Sequence, residues 1–240
     1  MNSNTSQHTQ PPIRVQLASA LAVIIPMAML TTWMYLIRDS APAQSEFFLG
    51  PLLFGGGMIF WILFLHIVVC RDCLESLGFR VSGFWLDVVT GIGMGVGFLI
   101  LKSLIQPFLQ GLFPPRAPSE EILQLIHSVI SNKWLLGLWL GPVVWIGIAG
   151  FEETWRCFVL RRFWNVFNSR TGQWIALLAV SALVGAAHGY QGPAAAISIG
   201  IKSILMGWYF MATGRARTLI VSHAVYDSVQ IIWAVIMIRG

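Results

Sequence analysis

Long apolar runs alternate with short polar segments along the whole chain. Most of the runs reach the 20 or so residues that an α-helix needs to cross the hydrocarbon core of a bilayer. Backbone groups in lipid must be hydrogen-bonded within their own segment, and the alternating pattern of a membrane β-barrel is absent, so we expect helices. The pattern predicts seven spans, at residues 16–37, 47–70, 86–113, 134–160, 174–188, 193–212 and 218–238.

A shorter segment of different character separates the third and fourth spans. In EEILQLIHSVI, residues 120–130, the apolar positions recur at helical spacing, which predicts a short helix lying at the membrane interface. The predicted fold class is therefore all-α: a polytopic transmembrane bundle of about seven helices with one additional interfacial helix. We divide the chain into a disordered polar tail at residues 1–13, N-terminal transmembrane helices at 14–118, and a C-terminal transmembrane core at 119–240.

The composition agrees with a membrane protein and excludes other classes. Hydrophobic residues make up 56% of the chain and charged residues only 10%, with a mean hydropathy of +0.73, whereas soluble domains contain about 25% charged residues. The net charge of +5 is modest and no basic run is present, so nucleic acid is not an expected partner, whereas the lipid bilayer is. Cys70 and Cys73 form a CxxC pair that fits a redox pair, half a zinc site, a palmitoylation point or simply two small apolar residues.

The distribution of basic residues predicts the orientation of the chain. Cytoplasmic loops carry an excess of lysine and arginine. Eight basic residues fall on the side of the N-terminus and four on the opposite side, which predicts a cytoplasmic N-terminus. We expect the plasma membrane as the location of the protein. The first group contains Arg14, Arg71, Arg80, Arg161, Arg162, Arg170, Arg215 and Arg217, and the second contains Arg38, Arg116, Lys133 and Arg239.

Three charged residues interrupt the fourth apolar run, in IGIAGFEETWRCFVL. A charge at the bilayer centre costs about 2.5–3.5 kcal/mol on insertion scales, so Glu152, Glu153 and Arg156 must face the bundle interior or a wet cavity. Either glutamate can pair with Arg156 across one helical turn, but one arginine cannot neutralise both. The remaining carboxylate is a candidate general base for water. A structural ion pair beside one protonated glutamate is the alternative interpretation.

Two further polar sites lie in the last spans. His188 closes the fifth span in LVGAAHGYQG, and His223 and Asp227 share one helix face in SHAVYDSV. A single intramembrane histidine is usually a hydrogen-bonded helix contact, but carboxylates and imidazoles together fit hydrolysis by an activated water. No HExxH motif is present; a metal remains an option, with Glu152, His188 and His223 as the candidate ligands.

The order EE…R, then H, then HxxxD on successive apolar helices resembles the CPBP intramembrane proteases, which include the CAAX prenyl endopeptidases. That family has the motifs EExxxR, FxxxH and HxxxN/D, and the resemblance covers residues 134–235. It implies a helical fold with a cavity open toward the cytoplasmic leaflet. It also implies glutamate-activated water with no required cofactor, although some members are called metalloproteases and a divalent metal such as zinc is not excluded.

The resemblance also implies a role for each site residue. Glu152 would activate the attacking water, and Glu153 with Arg156 would hold the geometry of the site. His188 would bind and polarise the water. The histidine and aspartate of the seventh span would stabilise the oxyanion or orient its partner. All six residues are therefore predicted to be catalytic.

The first motif departs from the family pattern. Here two residues, not three, separate the glutamate pair from Arg156, so that aligning on the arginine puts Phe151 at the position of the leading glutamate. An offset of five residues turns about 140° around a helix axis, whereas an offset of four turns only about 40°. Either the helix adjusts locally, through a bulge or a tightened turn, or the chain has lost the leading acid. Val184 also replaces the usual phenylalanine of the second motif, and Cys157 replaces a frequent glycine.

These observations leave three hypotheses of function. The leading one is an intramembrane endopeptidase that cleaves a lipidated or membrane-embedded peptide near its C-terminus. The second is a catalytically inactive family member that acts as a membrane scaffold, immunity factor or sensor. The third is a transporter or proton-coupled carrier, because intramembrane acids and histidines also mark ion paths. This hypothesis predicts inverted repeats or broken helices in matching halves, and the sequence displays neither.

Overall fold

The computed structural model describes residues 10–37, 44–114 and 120–239, and these ranges fold into helices without any β-strand. Seven helices in the described ranges are long and apolar enough to cross a membrane, which confirms the predicted all-α polytopic bundle. The α-helices are α1 (Ile13–Leu36), α2 (Gln44–Phe64), α3 (Phe84–Leu112), α4 (Glu120–Ser131), α5 (Lys133–Leu138), α6 (Phe151–Val166), α7 (Arg170–Ala187), α8 (Pro193–Thr213) and α9 (Ala216–Arg239). Two short 3₁₀ helices, Leu74–Leu77 and Gly189–Gln191, lie in the connections.

The fourth span departs most from the prediction. It is one continuous helical path, Lys133–Val166, and so extends beyond the predicted end at residue 160. Between α5 and α6 it is π-helical, over Trp139–Gly150. Gly141 has non-helical angles there (φ −90°, ψ −108°) because the next residue, Pro142, disfavours the α conformation in the residue before it. The span is therefore kinked between α5 and the glutamates of α6.

The predicted interfacial segment is helical, as α4. Val129 and Ile130 near its C-terminal end are buried, and Val129 packs against Phe48 of α2 and Val143 of the fourth span. The helix is therefore confirmed, whereas its placement at the membrane interface stays a prediction. The boundary proposed at residues 118 and 119, and residues 1–9 of the proposed tail, lie outside the described ranges.

Small residues allow α3 and α9 to approach closely. A side chain at Gly91 would lie 2.7 Å from Val221 Cβ, and one at Gly95 would lie 2.8 Å from the Ser222 carbonyl oxygen. Gly93 and Gly97 face open space instead. The close packing is thus confined to one face of α3, because glycines two residues apart lie on opposite sides of a helix. The close contact positions α9, which carries two of the predicted site residues.

A buried aspartate fastens the start of α3 to the start of α9. Asp87 Oδ1 accepts hydrogen bonds from Arg215 Nη1 (2.8 Å) and Thr218 Oγ1 (2.9 Å). Arg217 Nη2 lies 2.8 Å from Asp87 Oδ2. The carboxylate is 2% exposed, so these three groups replace the water that it would otherwise bind.

A second buried cluster joins α1 and α6 to the segment that follows α2. Arg162, assigned above to a loop, is fully buried. It donates to Gln16 Oε1 (2.8 Å), to His66 Nδ1 (2.7 Å) and to Asp72 Oδ2 (2.6 Å). Since His66 Nδ1 accepts from the arginine, its Nε2 carries the hydrogen and donates to the Cys73 carbonyl at 2.9 Å. The two clusters hold the helices on either side of the predicted site.

We predict that Gly95→Val lowers the free energy of unfolding by about 1–3 kcal/mol, because the added side chain would press against the backbone of α9. The measurement is unfolding of the purified protein in detergent micelles. Gly97→Val is the matched control, since it adds the same side chain to the same helix where nothing lies within 4 Å. Equal stability of the two variants would contradict the packing assigned to α3.

Candidate active site

The two glutamates in the first turn of α6 point to different neighbours. From Phe151 onward the helix is α-helical, so consecutive side chains diverge by about 100°. Glu152 Oε1 lies 3.5 Å from His188 Nε2. Glu153 Oε1 lies 2.7 Å from His223 Nδ1. The Glu152 side chain is 15% exposed, whereas that of Glu153 is completely buried, so only the first is reachable by solvent.

Glu153 is the structural half of the pair. Its Oε2 accepts a hydrogen bond from Arg156 Nη1 within the same helix, and its Oε1 accepts one from His223 of α9. Arg156 is itself buried, and its Nη1 also contacts Met206 Sδ at 3.5 Å. Among the described ion pairs, the arginine therefore neutralises Glu153 and not Glu152. The Glu152 carboxylate, which has no arginine partner among the described ion pairs, lies beside His188 instead.

The orientation of His188 is set by the backbone. Its Nδ1 lies 2.8 Å from the Val184 carbonyl oxygen. A carbonyl only accepts hydrogen bonds, so Nδ1 carries the hydrogen and Nε2 is the nitrogen that faces Glu152. The contact uses the backbone of Val184, so the replacement of the family's phenylalanine does not remove it. The 3.5 Å separation of Glu152 and His188 is long for a direct hydrogen bond.

His223 lies between two carboxylates. Its Nδ1 faces Glu153, and its Nε2 lies 3.4 Å from Oδ2 of Asp227, one helical turn farther along α9. The Asp227 side chain is 22% exposed, so it is accessible from outside the bundle, as that of Glu152 is. The structure thus brings all six predicted residues together, on α6, at the end of α7 and on α9.

The unusual spacing of the first motif has a local structural setting. The π-helical segment ends at Gly150, and the motif itself is α-helical from Phe151. Phe151 is buried, and its ring packs edge-to-face on Phe54 of α2, with centroids 5.4 Å apart. The residue aligned with the leading acid therefore faces away from the histidines, and the irregular helix lies immediately before the glutamates, not within the motif.

Lys202 of α8 belongs to the surroundings of the site, although we gave it no role above. It is buried, and its charge acts on Asp227, Glu152 and Glu153. Its Nζ lies 4.2 Å from the centroid of the Tyr226 ring. The signal that pointed to it is the one used for the glutamates, a charge inside an apolar run, but a lone lysine in a span is not part of any recognised motif.

The three candidate metal ligands do not fit a zinc site. Among the described residues, no group of three or more histidine, cysteine, aspartate and glutamate side chains is arranged to hold a metal ion. Both ring nitrogens of His223 face carboxylates, and Nδ1 of His188 is committed to a carbonyl. One nitrogen of each of these two histidines, Nε2, is left uncommitted, but among the described residues they are not arranged with a carboxylate as the three protein ligands that catalytic zinc generally has.

One comparison with known proteins bears on the site. The family model described as type II CAAX prenyl endopeptidase Rce1-like matches residues 133–229. The matched stretch begins at α5 and ends within α9, and it contains all six site residues. No solved structure matches the chain.

We predict that Glu153→Leu lowers the free energy of unfolding by about 3–5 kcal/mol, because it leaves the Arg156 guanidinium buried without a counter-ion. Adding Arg156→Met should recover most of that loss, since the pair is then replaced by apolar side chains. The unfolding free energies of the single and the double variant are to be measured in detergent micelles.

Glu75→Gln is the control for this cycle, because Glu75 is exposed and its stability effect should stay within about 0.5 kcal/mol. If the single and double variants were equally destabilised, Glu153 and Arg156 would not be energetically coupled.

Proposed function

The match over residues 133–229 supports membership of this chain in the CPBP family, and we propose on that premise that it is an intramembrane endopeptidase. Seven apolar helices together with this family indicate a multi-pass membrane protein, and the family suggests a CAAX-type protease. The observation that carries the proposal is the Glu152–His188 pair: a partly exposed carboxylate faces a free imidazole nitrogen inside an apolar bundle.

In the proposed reaction, one water lies between Glu152 and His188. At a separation of 3.5 Å, Glu152 Oε1 and His188 Nε2 can each accept one hydrogen of the same water within ordinary hydrogen-bond length. The water oxygen then keeps its lone pairs for the carbonyl carbon of the substrate. As the O–C bond forms, Glu152 takes the proton as general base. Glu152 returns this proton to the leaving amine nitrogen when the C–N bond breaks.

The second histidine stabilises the charge that develops on the substrate oxygen. Glu153 holds Nδ1 of His223 in place, and Arg156 holds Glu153. Because Nδ1 of His223 donates to Glu153, Nε2 also carries a hydrogen only in the imidazolium form; in that form the Nε2–H, which makes only a long contact with Asp227, donates to an oxyanion placed beside it. Arg156 and Glu153 are thus positioning residues, whereas Glu152, His188 and His223 touch the reacting atoms.

The proposed substrate class rests on the family match and on where the site lies. The matched family is described as a prenyl endopeptidase, and acids and imidazoles within an apolar bundle are accessible to a peptide that is itself anchored in the bilayer. We therefore propose a prenylated or otherwise membrane-embedded peptide cleaved near its C-terminus. The proposed orientation has the N-terminus in the cytoplasm, at the plasma membrane. Activation of water by a carboxylate supplies the chemistry, so we propose that no cofactor is required. Chelation tests whether a divalent metal takes part.

A catalytically inactive member acting as scaffold, immunity factor or sensor is the second candidate. The short spacing of the first motif favours it, because Phe151 occupies the position of the leading acid and packs on Phe54. The two candidates make opposite predictions for Glu152. A protease needs this carboxylate for function, whereas a scaffold keeps its cellular role when the residue is replaced and loses it only when the whole protein is removed.

We predict that Glu152→Gln lowers the rate of cleavage of a prenylated, internally quenched reporter peptide by about 10²–10⁴-fold, because the amide cannot accept the proton of water. The assay is fluorescence release by the protein in liposomes, with Glu75→Gln as a control at an exposed glutamate outside the site. Undiminished cleavage by Glu152→Gln would remove the carboxylate from the mechanism.

We predict that exhaustive chelation leaves the cleavage rate unchanged, because the described histidines and acids offer no zinc-binding group of three. The measurement is reporter cleavage before and after prolonged dialysis against a chelator. Loss of activity that added zinc restores would show that the water is activated by metal.

A further inference from the structure

A polar groove lies at the face of the bundle where α6 and α8 end and α7 begins. Its volume is about 580 Å³, within the range of about 300–1,000 Å³ that is usual for ligand sites. The connection between α2 and α3 completes its walls. None of the six candidate site residues is among its described lining residues, and Arg161 in its wall lies about 14 Å along α6 from Glu152. The groove is therefore separate from the candidate active site.

Two arginines that line the groove lack an acid partner. Within the described ranges, no carboxylate oxygen lies within 4.0 Å of a guanidinium nitrogen of Arg80 or Arg161. The Nε of Arg161 is buried and makes no hydrogen bond. A guanidinium carries five N–H donors and accepts nothing, so both side chains retain donors for an anion.

The end of α8 leaves room for one of these arginines. Gly214 ends that helix in the left-handed conformation, with φ 63°. A side chain at this position would lie 3.1 Å from Arg80 Nη2, so glycine allows the guanidinium to lie against the helix end. The last carbonyl groups of α8 favour a cation there, which keeps Arg80 beside the groove in the absence of a ligand.

An aromatic contact fixes the opposite wall. Trp164 of α6 donates its indole N–H to the Gln173 carbonyl of α7 at 3.2 Å. Its ring also stacks on Phe210 of α8, with centroids 5.7 Å apart. One side chain thus joins the three helices whose ends form the groove, and this holds the lining side chains in place.

Three side-chain amides add neutral hydrogen-bonding groups to the groove. Asn165, Asn168 and Gln173 line it, and no hydrogen bond of their side chains occurs within the described ranges. An amide both donates and accepts, which suits a hydroxyl group. Glu75 is the one acid among the described lining residues, so the cations exceed the acids. The groove therefore favours an anion with hydroxyl groups over a ligand that carries a quaternary ammonium.

We propose that the polar groove binds a phosphate ester that carries hydroxyl groups. Arg80 and Arg161 hold the phosphate, whose oxygens match the forked donors of guanidinium, and the three amides bind the hydroxyls. The groove lies at helix ends, where phospholipid headgroups surround the protein, and basic pockets of this kind recognise anionic headgroups. Phosphatidylglycerol and the soluble ester glycerol 3-phosphate both have this chemistry. The inference does not depend on the proposed endopeptidase function.

The test measures lipid binding to the intact protein by native mass spectrometry from detergent micelles. Separate titrations with phosphatidylglycerol and phosphatidylcholine give the Kd of the first bound lipid. We expect the Kd for phosphatidylglycerol to be about 10-fold lower, the size of one charge-assisted contact. Arg80→Gln and Arg161→Gln should each raise that Kd about 10-fold and leave the Kd for phosphatidylcholine unchanged.

Arg170→Gln is the matched control. Arg170 begins α7 at the same face and is exposed, but it does not line the groove, so its replacement should change the Kd for phosphatidylglycerol by less than about 2-fold. Glu75→Gln removes the acid of the groove and should lower this Kd about 3-fold. If Arg161→Gln fails to fold, Arg80→Gln and Glu75→Gln decide the question, since both positions are exposed.

A second arm separates the two sources of the ester. The protein in phosphatidylcholine nanodiscs is titrated with glycerol 3-phosphate by calorimetry. Binding that Arg80→Gln abolishes, without any preference for phosphatidylglycerol, would assign the groove to a soluble ester, and the reverse result would assign it to the lipid. Absence of both effects would overturn the proposal. An equal loss of binding in Arg170→Gln and Arg80→Gln would also overturn it, because the attraction would then come from the charge of the whole face.

Discussion

The buried contact between Glu153 and Arg156 is the constraint on which the site depends. The interior of the bundle offers no bulk water to solvate a lone charge, so each ion there requires a protein partner. Glu153 uses one oxygen for the arginine of its own helix and the other for His223 of α9. This double contact fixes the rotation of α6 relative to α9. Glu152, the adjacent residue, is then turned toward His188 and the accessible space.

The remaining clusters stabilise this arrangement from the edges of the bundle. Asp87 holds the start of α9 against α3, and the close contact at Gly95 holds the two helices together one to two turns farther along. Arg162 joins the other end of α6 to α1 and to the segment that follows α2. Glu152, the accessible acid, thus lies among helices whose relative positions are fixed by these contacts, as a preorganised site requires.

The spans were predictable because bilayer thickness sets helix length, and the meeting of the six predicted residues was predictable because charges in apolar runs are rare and need partners. The choice of partners was not. One arginine within reach of two glutamates leaves the pairing to the rotation of the helix, which packing decides. Arg162 was assigned to a loop because the fourth span was predicted to end at residue 160, and its acceptors, Gln16 and Asp72, are too remote in sequence to indicate that it is buried. Lys202 resembled an isolated cation, since nothing in its own span indicates the neighbouring tyrosine.

The π-helical segment Trp139–Gly150 has a consequence for how related chains vary in length. Its hydrogen bonds close over five residues instead of four, so it holds extra residues per turn. In a regular α-helix, inserting or deleting one residue swings everything downstream by about 100°. In the π-helical segment, a deletion can convert one π-helical turn to an α-helical turn, and an insertion can do the reverse. The residues downstream then keep their direction. Homologues with gaps upstream of the acids are therefore compatible with an unchanged direction of the glutamates toward the histidines.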